Sequence, residues 1–393
     1  MEVLRAVKTG MVGSSSQSRD FTAPHEPAGV VVTIQSNPDD LANHESVTRN
    51  GIARRLASLK GYAFDGAFEP GRVLPAPAYF VPAATIVGCD RAAALGIVDA
   101  DDLFGAVVPY PFMATKTISH PLAAGATYAP DGWCHAFNEA VRDVVLEGYA
   151  AFTGADLRRA AQAILAGGEG RIKLASGIGG LGQHVVRSLH EVDALLAAID
   201  PAEIGDLGVV VERNLAEIIT HSVGQVEVAG IKASYCGTQC LTTNNRGVQV
   251  YGGSTLLIVR GDFDTLLAQP LAADARRAID LARVYDAAAL RHFTGMFASR
   301  RNYDVAIGVD RRGIAHGGVL EQSWRMGGAS GAEVAALAAF QADPGLEMVR
   351  AATTEIYGEC APPPVHADVY FRAIDARVGM LTKFTVVETD ADA

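Results

Sequence analysis

Arg171-Ile172-Lys173-Leu174-Ala175-Ser176-Gly177-Ile178-Gly179-Gly180-Leu181-Gly182-Gln183-His184 is the stretch on which the reading of this chain turns. Glycines at 177, 179, 180 and 182 leave backbone N–H groups uncovered by side chains, and a nest of such groups suits phosphate oxygens. Lys173 alternates with Ile172 and Leu174 as at the end of a strand, a natural place for a cation aimed at phosphate. Residues 184–199, HVVRSLHEVDALLAAI, carry Val, Leu and Ala at helical spacing. A strand, a phosphate loop and a helix N-terminus are therefore predicted in that order.

The same glycines spell G-x-G-x-x-G at Gly177, Gly179 and Gly182, the dinucleotide fingerprint. A Rossmann unit needs a second strand, ending in an acid, roughly 20 residues further on. Here the region reads as helix to about Asp200, then a turn over 201–206. No Gly-Lys-Ser/Thr closes the run, so the Walker pattern is absent as well. A dinucleotide-dependent oxidoreductase is kept only as a minor alternative.

With 393 residues the chain is too long for one small core and fits two or three subdomains. A net charge of −11 argues against nucleic acid as the partner. No apolar run approaches the roughly 20 residues of a membrane span, and the N-terminus lacks an h-region. Five widely spread cysteines predict a reducing, cytoplasmic setting. Cys236 and Cys240 lie four apart in a strand-like stretch, and without a second pair or a His cluster they read as packing thiols.

A second chemical signal lies downstream. Arg301 to Asp310, an Arg311-Arg312-Gly313 turn and Gly318 to Arg325 read as a hairpin with carboxylates on both strands. Mg²⁺ takes hard oxygen ligands, and two acids on paired strands can hold it between phosphates.

Lys-x-x-Ser-Gly-x-Gly-Gly-x-Gly, from Lys173 to Gly182, resembles the glycine-rich lid loop of the ATP-grasp superfamily, nearest to its biotin-carboxylase-like members. The resemblance extends over roughly Lys116 to Ser330. It implies an α/β (α+β) fold of two subdomains clasping ATP, preceded by a small α/β domain. The expected organisation is a disordered tail at 1–26, the N-terminal domain at 27–110, the ATP-grasp domain at 111–387 with its lid over about 133–210, and an acidic tail at 388–393. The resemblance implies that Lys116 and Lys173 reach the nucleotide's phosphates from two sides, with Ser176, Gly177, Gly179, Gly180 and Gly182 forming the lid. It places Glu212, Arg213 and Leu215 at the hinge that holds adenine, Glu212 accepting from the exocyclic amine, with His221 a further contact. The family's metal hairpin has an acid on one strand and Glu-x-Asn-x-Arg on the next, matched here by Asp304, Glu321 and Arg325. Ser323 stands where Asn is usual and is the third metal-ligand candidate. Asp310 rivals Asp304 as the first.

The other elements are read from pattern. Gly29 to Ile34 is a strand, Asn43 to Leu59 a helix capped by Asn43, and Ala78–Pro82, Arg91–Leu95 and Ala106–Pro109 complete the first unit. Asn43, His44, Glu45 and Arg49 are its densest polar cluster. Trp133 to Leu165 reads as two helices broken near Thr153. Val223 to Val259 reads as an antiparallel series with a turn at Thr242–Gly247, and Asp264 to Leu290 as one helix.

The expected activity is an ATP- and Mg²⁺-dependent ligase, Arg325 and Lys173 being its catalytic cations. It would activate a small-molecule carboxylate as an acyl phosphate for an amine, thiol or other nucleophile. A silent nucleotide-binding relative, for which Ser323 is the motive, and a kinase-like member are the alternatives. Homo-oligomerisation is left open.

Overall fold

Strand alternation builds a long antiparallel sheet that runs β15-β14-β10-β11-β12-β16-β18-β17. Its strands are β10 (Ala216–Val228), β11 (Ile231–Thr243), β12 (Gln249–Arg260), β14 (Arg300–Val309), β15 (Ala315–Ser323), β16 (Met348–Tyr357), β17 (Asp368–Asp375) and β18 (Gly379–Glu388). The computed structural model describes residues 27–36, 42–175, 177 and 182–388. The predicted tails at 1–26 and beyond Glu388 lie outside the described residues, as do Ser176, Gly179 and Gly180.

Val223, Cys236, Tyr303, Val305 and Val319 line one face of this sheet and pack against α3 (His135–Val141) and α8 (Ala273–His292). Tyr235, Leu256, Ile258 and Ala351 line the other, beneath α1 (His44–Lys60) and α9 (Ser330–Ala342). Asn43 caps α1 by accepting from the Ser46 N–H at 2.8 Å, and Ile52, Ala53 and Leu56 give the helix its buried stripe. Burying Ile52 and Leu56 contributes about 1.5–3 kcal/mol each, enough to fix which side of α1 faces inward.

The first unit pairs β1 (Val30–Ile34) in parallel with β2 (Ala63–Ala67) and β3 (Ala78–Pro82). Beside it, β4 (Ile86–Val87), β5 (Ala106–Val108) and β13 (Phe297–Ala298) form a small sheet next to α2 (Cys89–Ala94).

A four-stranded antiparallel sheet carries the opening stretch, in the order β6 (Gly148–Ala151), β9 (Val209–Arg213), β7 (Gly170–Leu174), β8 (Gln183–Val186). Ile172, Val186, Val209 and Val211 turn to one face, under α4 (Gly154–Gly167) and α5 (Leu189–Ala198). Lys173 and Glu212 are left on the other.

Several expectations are corrected here. The glycine loop does not enter a helix: it joins β7 to β8, with Leu174 N–H donating to Gly182 O at 2.9 Å. An antiparallel hairpin is not the strand–loop–helix of a dinucleotide site, which removes that alternative. The segment read as a turn at 201–206 is a helix, α6 (Pro201–Leu207), started by Pro201 and capped by Asp200. Between Trp133 and Leu165 the predicted helix pair is interrupted by β6, because Gly148–Ala151 pair with Glu212–Val209. The helix expected over Asp264–Leu290 divides into α7 (Phe263–Leu267) and α8, with Pro270 in the break.

Candidate active site

Asp304 and Glu321 face each other directly across β14 and β15. This pairing depends on a bulge. Val305 pairs with Val319, yet Asp304 pairs with Glu321, so Leu320 is the extra residue. Without it Leu320 would oppose Asp304, and Glu321 would fall out of register with it. Asn302 and Ser323, the next facing pair, lie on the same side of the sheet.

Lys116 closes the arrangement from a 3-10 turn over Lys116–Ser119. Its ammonium is 2.9 Å from Glu321 Oε2 and donates at 2.9 Å to the carbonyl of Gly177, while only 6% of the residue is exposed. Three stretches far apart in the chain, the lid hairpin, the metal-type hairpin and the 116 turn, thus meet at one cation.

A buried polar network lies behind the acids. Gln239 Nε2 donates to Asp304 Oδ1 at 2.7 Å, and Asn302 Nδ2 donates to the same oxygen at 3.1 Å. Asn302 Oδ1 accepts from Ser222 at 2.7 Å and lies 3.0 Å from the Tyr235 hydroxyl, which makes Asn302 a support for Asp304. Tyr235 donates to Glu333 at 2.5 Å, and Glu333 holds Arg300 through two 2.7 Å contacts. Arg300 in turn donates to the carbonyls of Ser323 and Arg325. Burial, then the charge of Glu321, pushes the Asp304 carboxyl well above the usual range. Two hard-oxygen acids, one already crowded by the other's charge, fit a divalent cation. Among the described residues no group of three or more His, Cys, Asp and Glu gathers as a metal cluster.

The second lysine goes elsewhere. Lys173 lies 2.5 Å from Glu212 Oε1, and His120 Nε2 lies 3.0 Å from Glu212 Oε2. All three residues are buried. Burial opposes the Glu212 charge, but Lys173 and His120 outweigh it and hold the carboxyl down at about 2. Gly148 makes room: a Cβ there would lie 2.9 Å from the His120 ring and 2.8 Å from Glu212 Cβ. Lys173, expected at phosphate, and Glu212, expected at an exocyclic amine, are in this structure engaged with each other. His120 belongs to the cluster and was missed in the sequence; its signal, a His four residues after Lys116, is too common to find it.

At the hinge, Arg213 and Asn214 donate their N–H groups to Glu147 O and Glu169 O, and Leu215 is buried. Among the described residues the Leu215 N–H has no backbone acceptor. The Arg213 side chain turns away to Glu147. His221 pairs with Val305, not with Asp304, so it turns to the α8 face, where both ring nitrogens are buried without a hydrogen-bond partner among the described residues. The structure does not bring it to the acids. Asp310 is a turn residue that accepts from the N–H groups of Arg312 and Ile314, which excludes it as the partner of Glu321. Arg325 lies just past the end of β15, donates to Met326 O, and is within reach of the charges of Glu321 and Asp304. Cys236 is buried and Cys240 exposed, each donating to a backbone carbonyl. Among the described residues no helix is long and apolar enough to cross a membrane.

The family model described as "Protein of unknown function (DUF3182)" matches residues 31–385. No curated protein sequence matches the chain. Among solved structures, a biotin carboxylase–β,γ-ATP complex from Campylobacter jejuni is similar at a TM-score of 0.51 and 11% identity, over 92% of this chain and 87% of that one. An N5-carboxyaminoimidazole synthetase from Staphylococcus aureus complexed with ADP matches at 0.49 and 12%, over 93% and 94%. A phosphoribosylamine–glycine ligase from Thermotoga maritima matches at 0.49 and 14%, over 92% and 94%. The likeness to biotin carboxylase shows the fold to be that of the ATP-grasp superfamily, in agreement with the resemblance carried by the lid loop and the metal-type hairpin.

Proposed function

This chain belongs to the DUF3182 family, and from that membership and the ATP-grasp fold we propose that it is an ATP-dependent ligase. It would activate a carboxylate as an acyl phosphate for attack by an amine or another nucleophile. The observation that carries this reading is Lys116, whose ammonium touches both Gly177 O of the lid hairpin and Glu321 of the acid pair at 2.9 Å. A site that only bound a neutral ligand has no need of this charge arrangement.

In the first step a substrate carboxylate oxygen bonds to the γ-phosphorus, and the bond from that phosphorus to the β-bridging oxygen breaks, releasing ADP. In the second the nucleophile bonds to the carbonyl carbon, phosphate leaves with the C–O electron pair, and the nucleophile's proton passes to water. The protein's share is positioning and charge. Lys116 would neutralise phosphate oxygens, and the N–H groups that the glycine run leaves uncovered would donate to them. Asp304 and Glu321 would hold Mg²⁺, with Ser323 adjacent; bound there, the ion neutralises phosphate charge. Arg325 supplies a guanidinium for charge that develops in the transition state. Lys173, Glu212 and His120 brace the adenine side, where the Leu215 N–H and the Arg213 carbonyl would read the base edge.

A panel of carboxylates with ATP, Mg²⁺ and hydroxylamine tests the reading, because an acyl phosphate is trapped as a hydroxamate. Hydroxamate and ADP in equal amounts for at least one acid is the expected result. ADP without hydroxamate supports phosphorylation without ligation, and neither product, despite nucleotide binding, supports the silent relative that Ser323 favours.

A further inference from the structure

Among the described residues four lysines and arginines are buried: Arg49, Lys116, Lys173 and Arg300. Lys116 has Glu321, Lys173 has Glu212 and Arg300 has Glu333. Arg49 makes no ion pair with any described acid, although only 5% of it is exposed. Its Nη1 donates to Gln35 Oε1, which also accepts from Ser46 Oγ at 3.0 Å, so one corner of the guanidinium is pinned. Nε is buried and has no hydrogen-bond partner. The Nε–Nη2 edge is the one that grips a carboxylate or phosphate with two parallel hydrogen bonds.

A second cation lies close by. Arg325 sits in the segment between β15 and α9, and α1 packs along α9. Burial, and against Glu45 the charge of Arg325, depress the Arg49 guanidinium. Among the described residues Arg325 donates to Met326 O and makes no ion pair either. Lys383, further along the same side, is already matched by Glu355 at 2.8 Å. Glu45 acts on both arginines, and Glu321 and Asp304 act on Arg325, yet among the described residues none of them closes an ion pair with either guanidinium, and an anion held between the two would.

We infer that the acceptor substrate is an oxyanion-bearing small molecule, gripped by the free edge of Arg49 and shared with Arg325, so that it lies between α1 and the segment after β15. This deepens the ligase reading and rests on it for the identity of the reaction, while the anion subsite stands on its own geometry. The shared chemistry is a carboxylate or a phosphate group. Arg49 acts in this subsite and not on the nucleotide.

The test is a calorimetric titration of the protein loaded with Mg·AMP-PNP, which fills the phosphate site. Malonate is one arm and inorganic phosphate the other, at fixed ionic strength. Wild type should bind one of them, and the arm that binds identifies the group. Arg49→Met should weaken that anion more than tenfold, keep AMP-PNP affinity within twofold, and melt no lower than wild type, since an unpaired buried charge is removed. Arg49→Lys, which keeps the charge and loses the two-pronged edge, should weaken the anion as well and covers the case in which Arg49→Met does not fold. Binding of neither anion by wild type, or anion affinity within twofold in both variants, overturns the subsite. If AMP-PNP itself fails to bind wild type, the ligase reading falls, and the same anion titrations on the nucleotide-free protein still judge Arg49.

Discussion

Lys173 and Lys116 are both buried lysines reaching an acid, yet their surroundings differ in kind. Around Lys173 the charges close: Glu212 meets Lys173 on one oxygen and His120 on the other, and all three are sealed. Around Lys116 they do not. Glu321 is paired and partly open, while Asp304 opposite it is raised by burial and by Glu321's charge. A closed cluster holds β6, β7 and β9 together; an open one has capacity left for a ligand. The difference separates residues that position the cleft from residues that act in it.

The largest expected effect is on the closed side. Lys173→Met strands the Glu212 charge in the interior, and breaking a buried pair on one side costs about 3–5 kcal/mol. Urea denaturation should show it, and the double variant Lys173→Met/Glu212→Gln should recover most of the loss. A single variant as stable as wild type contradicts the closed cluster.

Acid should expose the same cluster. Glu212 is held at about 2 in the folded chain against an ordinary 4.5, so the folded chain binds fewer protons there than the unfolded chain. Its contribution, roughly 3 kcal/mol, is whole above pH ~4.5 and is lost as the pH falls toward 2. Stability measured between pH 5 and 2.5 should fall less steeply in the double variant than in wild type. Parallel slopes would remove Glu212 as the cause.

Gly148→Ala is a smaller probe, because it adds one methyl between Glu212 and His120. Overpacking of this kind costs about 1–3 kcal/mol, read as a lower midpoint in urea. An unchanged midpoint means the cluster yields more than its burial implies.

On the open side, Asp304→Asn should change stability least, within about 0.5 kcal/mol or upward, since it removes a crowded charge and keeps the shape. AMP-PNP affinity in the variant should no longer respond to Mg²⁺. Equal Mg²⁺ dependence in variant and wild type takes the metal away from the hairpin.

The contrast also explains what could be read in advance. The β14–β15 hairpin and the series β10 to β12 were legible because alternation and turn residues are local signals, and the Asp304–Glu321 pairing follows from them once Leu320 is bulged out. Strand β8 was not, because Gln183–Val186 spans four residues that run into the periodicity of α5. Strand β6 exists through its pairing with β9, a partner some sixty residues later. His120 and the Arg300–Glu333 support were hidden for the same reason: each is defined by a partner distant in the sequence. His221 shares the face of Val305, its partner across β10 and β14, a placement set by pairing with a strand some eighty residues later.

The central claim, that the Lys116–Glu321–Asp304 corner receives the phosphates of Mg·ATP, is tested most directly by titrating Mg·AMP-PNP into wild type and Lys116→Ala by calorimetry. One charge-assisted contact is worth about 1.5–3 kcal/mol, so the variant should bind more than tenfold more weakly while its fold is retained. Equal affinity in the two proteins would contradict the claim.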